Sequence, residues 1–363
     1  MVLKKAARKN PVRLAVAMAA LMACLSLSGC YLMQAARGQL QVMNAREPVD
    51  KVIASADTSD TLKQQLVRAR RIRDFASQEL GLPDNAAYRN YADIGRPYVV
   101  WNVVATPEFS VHPRTWCFPV AGCVAYKGYF SEQDARGFAA KLKGQGDDVV
   151  MGGVTAYSTL GRIADPLLNT FTSYPEIDLA ALIFHELAHQ VAYLPGDSSF
   201  NEAFATAVEE AGVARYAAQL ADANALPRWQ QRRRLRIEVT SLVTAARTDL
   251  ARIYRQSLPV DAMREAKQER LAELATQIRA VEQRTGRTSG FDSYIKEGLN
   301  NAHLASVATY YDKVPYFEDL LRERCGGYLP CLYALANEEI ATRQAAARAQ
   351  SPSRPVGPRS PPL

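Results

Sequence analysis

One short segment of the chain carries residues that suit metal chemistry, His185-Glu186-Leu187-Ala188-His189. It follows an apolar run without Gly or Pro, and this pattern predicts a buried helix. On a helix the two histidines lie one turn apart and project from the same face, so both imidazoles can hold one zinc ion. The glutamate beside them is then placed to take a proton from water on that ion.

A carboxylate that completes such a site follows after a turn. Pro195 and Gly196 indicate the turn, and a second predicted helix begins near Glu202. Folding back, this helix would bring Glu202 to the open side of the two histidines, as the third ligand. Glu209 is the competitor, but seven residues correspond to about 10 Å along a helix, so both cannot bind one ion. The structural alternative is a buried histidine pair that forms hydrogen bonds with backbone groups. It is weaker because the chain has only four histidines and two of them stand at the spacing of metal ligands.

The surrounding patterns predict an α+β fold over residues 52–343, with a small mixed or antiparallel sheet followed by a mainly helical part that contains the metal site. Runs of Val and aromatic residues predict strands at 98–104, 109–111 and 124–130, and an extended segment at 149–160. Helical patterns cover 60–80, 131–143 and 300–321, besides the two helices of the metal site. A long helical hairpin, at about 227–283, would cover the cleft or bind a partner. The composition of 344–363 predicts a disordered tail.

The first thirty residues have the pattern of an export signal. Five basic residues precede the apolar stretch 14–27, which is short for a membrane span. The sequence Leu27-Ser28-Gly29-Cys30 resembles the bacterial lipobox. This resemblance implies a signal peptide at 1–29, a lipid on Cys30, a lipidated tether at 30–51, and a protein anchored in the outer membrane facing the periplasm. An uncleaved anchor is the alternative.

Charge and cysteine content narrow the class of protein. Without the five basic residues of the signal, the formal charge of +7 falls to about +2, so nucleic acid is not an expected partner. The arginine-rich run at 228–236 is predicted to be a solvated helix face. The cysteines beyond residue 30 form two close pairs, Cys117 with Cys123 and Cys325 with Cys331. In an exported protein this spacing favours disulfides, and a structural zinc held by all four is the alternative.

The two motifs together resemble the gluzincins, the zinc peptidases that include thermolysin and alanyl aminopeptidase. This resemblance implies that residues 52–343 form a zincin-like metallopeptidase domain. The stretch from Asn201 to Ala205 is similar to their second-helix motif, whose glutamate is the third zinc ligand. The spacing departs from theirs, because Glu202 stands 13 positions after His189 (202 minus 189), which is shorter than in those families.

From the lipobox to about residue 335, the chain also resembles a family of bacterial lipoproteins described as aminopeptidases. The shared stretches are Gly38-Gln39-Leu40, Trp116 to Pro119, Tyr126 to Phe130, Ala156 to Gly161, Asp165-Pro166, Phe184 to Gln190 and Phe200 to Ala205. The resemblance implies a membrane-anchored zinc peptidase acting on peptides, with aminopeptidase favoured over endopeptidase. A non-catalytic lipoprotein scaffold, binding a partner through its hairpin, is the alternative from another class, and Glu186 argues against it.

Two further tasks of a peptidase have several candidates each. The oxyanion needs zinc and one more donor. The candidate donors are Tyr157, Tyr310, Tyr311 and His303. Of these, we predict that Tyr157 and Tyr310 act in catalysis together with Glu186. An aminopeptidase also needs an anion for the substrate amine, and the stretch 154–161 contains no carboxylate. The candidate anions are Asp165, Glu209 and Glu210. The extended segment through Tyr157 is predicted to pair with the substrate backbone.

Overall fold

A computed structural model of the protein describes residues 31–118, 122–159, 161–307 and 313–350. In chain order the elements are α1 (31–44), β1 (Arg46–Pro48), α2 (Val49–Ala54), α3 (Asp60–Gln78), β2 (Asn90–Ala92), β3 (Val100–Pro107), β4 (Trp116–Phe118), β5 (Gly122–Val124), β6 (Lys127–Tyr129), α4 (Glu132–Gly144), β7 (Asp147–Val154), β8 (Leu167–Leu168), α5 (Glu176–Ala188), α6 (Ser198–Ala217), α7 (Ala225–Ile253), α8 (Val260–Thr285), α9 (Asp292–Glu297), α10 (Asn301–Ser306), α11 (Val314–Asp319) and α12 (Leu329–Gln350). Small sheets among many helices confirm the predicted α+β class.

The sheet that lies beside the candidate site has the antiparallel order β6-β3-β7. Its two faces are covered differently, because side chains alternate along a strand. Trp101 and Val103 belong to one apolar cluster with Leu142 of α4. Val104 and Val150 pack on the other face, against α10. Two smaller sheets, β1-β2-β8 and β4-β5, complete the strands.

The main core surrounds α3, α5 and α6, and the last two of these helices hold the candidate site. The rings of Phe75, Phe184 and Tyr216 contact one another, with centroids 5.0 to 6.1 Å apart. Helix α6 can approach α5 closely at Gly212, where an added Cβ would lie 2.8 Å from side-chain atoms of Phe184 and Leu80. A glycine at this contact therefore sets the spacing between the two helices of the site.

The predicted hairpin is present as α7 and α8, which pack against each other through buried side chains such as Leu250, Leu274 and Ile278. Helix α7 also contacts α5 and α6, so the hairpin is one wall of the candidate site. In the described part of the chain, no helix combines the length and apolar character needed to cross a membrane.

Both ends of the described chain differ from the prediction. The tether expected at 30–51, as a short helix or an extended segment, is helical over 31–44, but Val42 and Val49 are buried in the main core. Gly38 packs against Phe130 so closely that a Cβ there would come within 2.4 Å of the ring. The predicted disordered tail begins at 344, but α12 continues to Gln350. Residues 351–363 lie outside the described residues.

Two predicted elements were wrong in part. Residues 109–111 form no strand, because the chain turns away after β3: the Glu108 carbonyl accepts hydrogen bonds from Lys267 (2.9 Å) and Asn301 (2.8 Å). The single helix predicted at 300–321 is divided into α10, α11 and a π-helical turn at Leu320–Arg324, with 308–312 outside the described residues.

The cysteine pairs were predicted correctly. Cys117 and Cys123 lie at disulfide distance across the β4-β5 hairpin, with the sulfur atoms 1.92 Å apart. Cys325 and Cys331 are bridged with an S–S distance of 2.03 Å. Their pairing leaves no thiolates for the alternative four-cysteine zinc site.

Candidate metal centre

The two histidines lie at the end of α5, the helix that the apolar run forms. Phe184, Leu187 and Ala188 are fully buried and hold this helix in the core. His185 is in its last turn, and His189 follows directly after it. Their imidazole rings have centroids 4.8 Å apart, and the two Nε2 atoms are separated by 3.2 Å. The one-turn spacing therefore brings both nitrogens to one point, as predicted.

Glu202 reaches the same point from the first turns of α6. The turn before α6 is tied by Asn201, whose amide accepts from the Leu194 N–H (2.7 Å) and donates to the Leu194 carbonyl (2.9 Å). Asp197 caps the helix by accepting from the Phe200 N–H at 2.9 Å. The Oε2 atom of Glu202 then lies 3.2 Å from His185 Nε2, and its Oε1 atom lies 3.7 Å from His189 Nε2.

The donor set fits a metal ion. His185, His189 and Glu202 each offer one ligand atom, and these atoms lie within 4.8 Å of one another. Glu209 is not in this group, since its Oε2 is 3.0 Å from His185 Nδ1, on the opposite side of the ring. An Nδ1–H that donates to Glu209 leaves the Nε2 lone pair directed at the ligand group. The Nδ1 atom of His189 is buried without a hydrogen-bond partner among the described residues, so only one ligand is oriented in this way.

The charges around the three candidate ligands favour a cation. Burial opposes a charge on His185, but hydrogen bonds with Glu202 and Glu209 outweigh it and raise the pKa of His185 well above its usual value. Burial and the neighbouring His185 charge lower the pKa of His189 to about 4. Burial opposes ionisation of Glu202 as well, yet its contact with His185 holds the pKa of this carboxyl below the usual range. Metal binding at such a site releases protons, because an imidazole must be neutral to ligate.

Glu186 is directed at the same space without belonging to the ligand group. Its side chain lines two cavities that lie on either side of the group formed by His185, His189 and Glu202, which we call the metal cluster. Burial raises its pKa, against the opposing effect of the His185 charge and of a hydrogen bond from Ser158. A carboxyl group with a raised pKa can both take and return a proton near neutral pH.

Two cavities flank the cluster, and His185, Glu186 and Glu202 line both of them. We call the one between α5, α6 and α7 the hairpin cavity; its volume is about 720 Å³. The other, of about 730 Å³, lies between α5, the sheet and α1, and we call it the sheet cavity. An extended chain could thus occupy both sides of the cluster.

The candidate oxyanion donors lie in different surroundings. Tyr157 lines the sheet cavity, where its hydroxyl donates to Gln39 of α1 and burial raises its pKa to about 12. His303 lines neither cavity: it closes a capping box on α10, with Nδ1 accepting from the Asn300 N–H at 3.1 Å. Tyr310 and Tyr311 lie outside the described residues.

The three candidate anions for a substrate amine already have partners. Asp165 is buried and accepts from the N–H of Thr159 at 2.8 Å, which holds the loop after β7. Glu209 contacts His185, and Glu210 forms an ion pair with Arg233. Of the three, Glu209 lines the hairpin cavity, whereas Asp165 and Glu210 line neither cavity.

Sequence reasoning missed several residues that line the cavities. The arginine-rich run of α7 is only partly a solvated face, because Arg232, Arg233 and Arg236 line the hairpin cavity. Gln39 lines the sheet cavity, as do Tyr126 and Tyr193. Two of these positions, Gln39 and Tyr126, stand in the stretches Gly38-Gln39-Leu40 and Tyr126 to Phe130, so the family resemblance was the signal that could have found them.

A protein-family model described as "Putative aminopeptidase" matches residues 30–351. No curated protein and no solved structure matches the chain significantly. The matched range contains the metal cluster, both cavities and the whole hairpin.

Proposed function

We propose that this chain, which belongs to the family described as "Putative aminopeptidase", is a zinc-dependent peptidase. Family membership implies peptide substrates. The observation that carries the proposal is the convergence of His185, His189 and Glu202, with Glu186 beside them and a cavity on either side. Two imidazoles and one carboxylate leave a ligand position open, as catalytic zinc sites do.

The chain's own residues have defined tasks in this proposal. A zinc ion bound there would supply Lewis acidity toward water and the peptide carbonyl. Glu186 takes the proton of the attacking water and delivers it to the leaving amine. Glu209 keeps His185 in the tautomer whose Nε2 can bind metal. Tyr157 donates to the developing oxyanion, and its hydroxyl must leave Gln39 to do so.

The favoured activity is that of an aminopeptidase, and endopeptidase is the second candidate. Two observations support an endopeptidase. Cavities lie on both sides of Glu186, and Asp165, Glu209 and Glu210 already have partners within the chain. Peptides with free and acetylated amino termini distinguish the two activities. Loss of cleavage on acetylation supports an aminopeptidase. Equal cleavage of both, with internal cuts seen by mass spectrometry, assigns an endopeptidase, and no cleavage of any peptide by zinc-loaded protein overturns the peptidase proposal.

We also propose that Cys30 carries a lipid and anchors the protein in the bacterial outer membrane, facing the periplasm. The lipobox resemblance supports this, and the signal and Cys30 lie outside the described residues. Fractionation of cells that express Cys30→Ser tests it. The variant should leave the membrane fraction, and unchanged membrane association would refute a lipid on this cysteine.

A further inference from the structure

The hairpin cavity carries more charge than the sheet cavity. Its charged lining residues are Asp178, Glu186, Glu202, Glu209, Arg232, Arg233 and Arg236, together with His185 at the metal cluster. Among the described residues that line the sheet cavity, the carboxylates are Glu186 and Glu202, and there is no arginine or lysine. A charged group of a substrate would therefore interact more strongly with the hairpin cavity than with the sheet cavity.

Most of these charges are already paired. Arg232 donates to both carboxylate oxygens of Asp178, at 2.6 and 2.7 Å. Arg233 forms an ion pair with Glu210. Glu209 contacts the His185 imidazole. Glu186 and Glu202 are committed to the metal cluster in the proposed function.

Arg236 is the exception. It lies one turn after Arg232 on α7, so both side chains project from the same face of the helix. Arg236 is exposed at the hairpin cavity and has no ion pair or side-chain hydrogen bond within the described part of the chain. Its guanidinium offers five N–H donors in a planar arrangement that matches a carboxylate.

We propose that Arg236 binds a carboxylate of the peptide substrate and makes the protein selective for short peptides with a free carboxyl terminus. This rests on the proposed peptidase function. The carboxyl terminus of a peptide always lies on the leaving-amine side of the cleaved bond, so the hairpin cavity would hold the leaving part. An extended residue spans about 3.5 Å, and a dipeptide or tripeptide would therefore bring its carboxylate only one or two residues beyond the cut.

The rest of the cavity suits such a leaving part. Besides the charged groups, its wall contains the apolar side chains of Leu182, Trp229, Phe291 and Val307. An apolar side chain next to the carboxylate can pack against these residues while the guanidinium forms two parallel hydrogen bonds. An acidic side chain on an amidated peptide presents the same chemistry, so the two sources of carboxylate must be compared.

Binding to protein that cannot turn over tests the proposal. Zinc-loaded Glu186→Gln protein is titrated by calorimetry with Leu-Phe, Leu-Phe amide and Leu-Glu amide. Leu-Phe should bind about 10- to 100-fold more tightly than its amide, the range expected for hydrogen bonds to a charged group. Adding Arg236→Ala should remove that difference. Adding Arg234→Ala should keep it, because Arg234 is an exposed arginine of the same helix that lines neither cavity.

The outcomes separate this inference from the peptidase function. Equal binding of Leu-Phe and its amide, or a preference that survives Arg236→Ala, overturns the role of Arg236. Leu-Glu amide binding as tightly as Leu-Phe supports carboxylate recognition but assigns it to an acidic side chain and overturns the free-terminus selectivity. Hydrolysis by the wild-type chain is measured in parallel: cleavage of both Leu-Phe and its amide at equal kcat/KM leaves a peptidase without this selectivity. Absence of cleavage with binding selectivity intact refutes the peptidase function alone.

Discussion

Replacing Glu209 tests whether a residue outside the proposed ligand group contributes to zinc affinity. Its Oε2 atom lies 3.0 Å from His185 Nδ1, and its side chain is only 17% exposed. Removing the carboxylate frees the ring to rotate and to take the tautomer in which Nε2 carries the proton. Glu202, on the other side of the same ring, stays in place in such a variant.

The expected magnitude follows from this geometry. Loss of a carboxylate that orients a histidine ligand lowers metal affinity about 10- to 100-fold, which is about 1.4 to 2.7 kcal/mol. Glu209→Ala should lie at the upper end. Glu209→Gln should lie at the lower end, because the amide oxygen can still accept from Nδ1–H but a neutral acceptor forms roughly half as strong a bond. Glu202→Ala removes a ligand and should cost more than either.

A competition titration of zinc against a chelating dye gives all three affinities, with circular dichroism as the check on folding. The order expected, from tightest to weakest, is wild type, Glu209→Gln, Glu209→Ala and Glu202→Ala. Strong zinc loss confined to Glu209→Ala, with Glu202→Ala close to wild type, would refute the ligand assignment. Unchanged zinc affinity in Glu209→Ala would refute the orienting role.

Three further predictions concern the base, the pH response and the packing of the site. Glu186→Gln should keep stoichiometric zinc yet lower peptide turnover about 100- to 10,000-fold, because it removes the proton acceptor and no ligand; near-normal turnover contradicts the assignment. Burial lowers the pKa of His303 to about 4 from an unfolded value of 6.5, so the unfolded chain binds more protons between these values. Stability should therefore fall as pH drops from 6.5 to 4, by about 3 kcal/mol more in wild type than in His303→Asn, measured by urea unfolding at several pH values; parallel curves contradict this. Gly212→Val should cost about 1 to 3 kcal/mol of unfolding free energy through its clash with Phe184, and a variant as stable as wild type would show that α5 and α6 can separate.

The sequence was sufficient for the part of the site that one helix determines. The separation of His185 and His189 by four positions sets their geometry once the helix forms, and Glu202 needed only one short turn in addition. The remaining residues come from distant elements. Gln39 reaches Tyr157 across 118 positions of sequence. No local pattern encodes such a contact, because it depends on how α1 packs on the sheet.

Other errors came from patterns that suit two environments. The arginine-rich run of α7 predicts a solvated face, but Arg232 and Arg233 form ion pairs with Asp178 of α5 and Glu210 of α6. His303 was a reasonable catalytic candidate by residue type, yet its nitrogen serves a helix cap. Residue type alone does not distinguish a histidine that binds substrate from one that satisfies backbone.

The packing of α1 determines where a shortened form of this protein can begin. A sequence-based truncation at about residue 52 would discard Val42 and Val49 from the core, and with them Gln39 from the wall of the sheet cavity. Protein shortened in that way loses part of its core and the contact between Gln39 and Tyr157, so its inactivity would say nothing about the full chain. Expression should begin no later than residue 31, so that only the segment before α1 is removed.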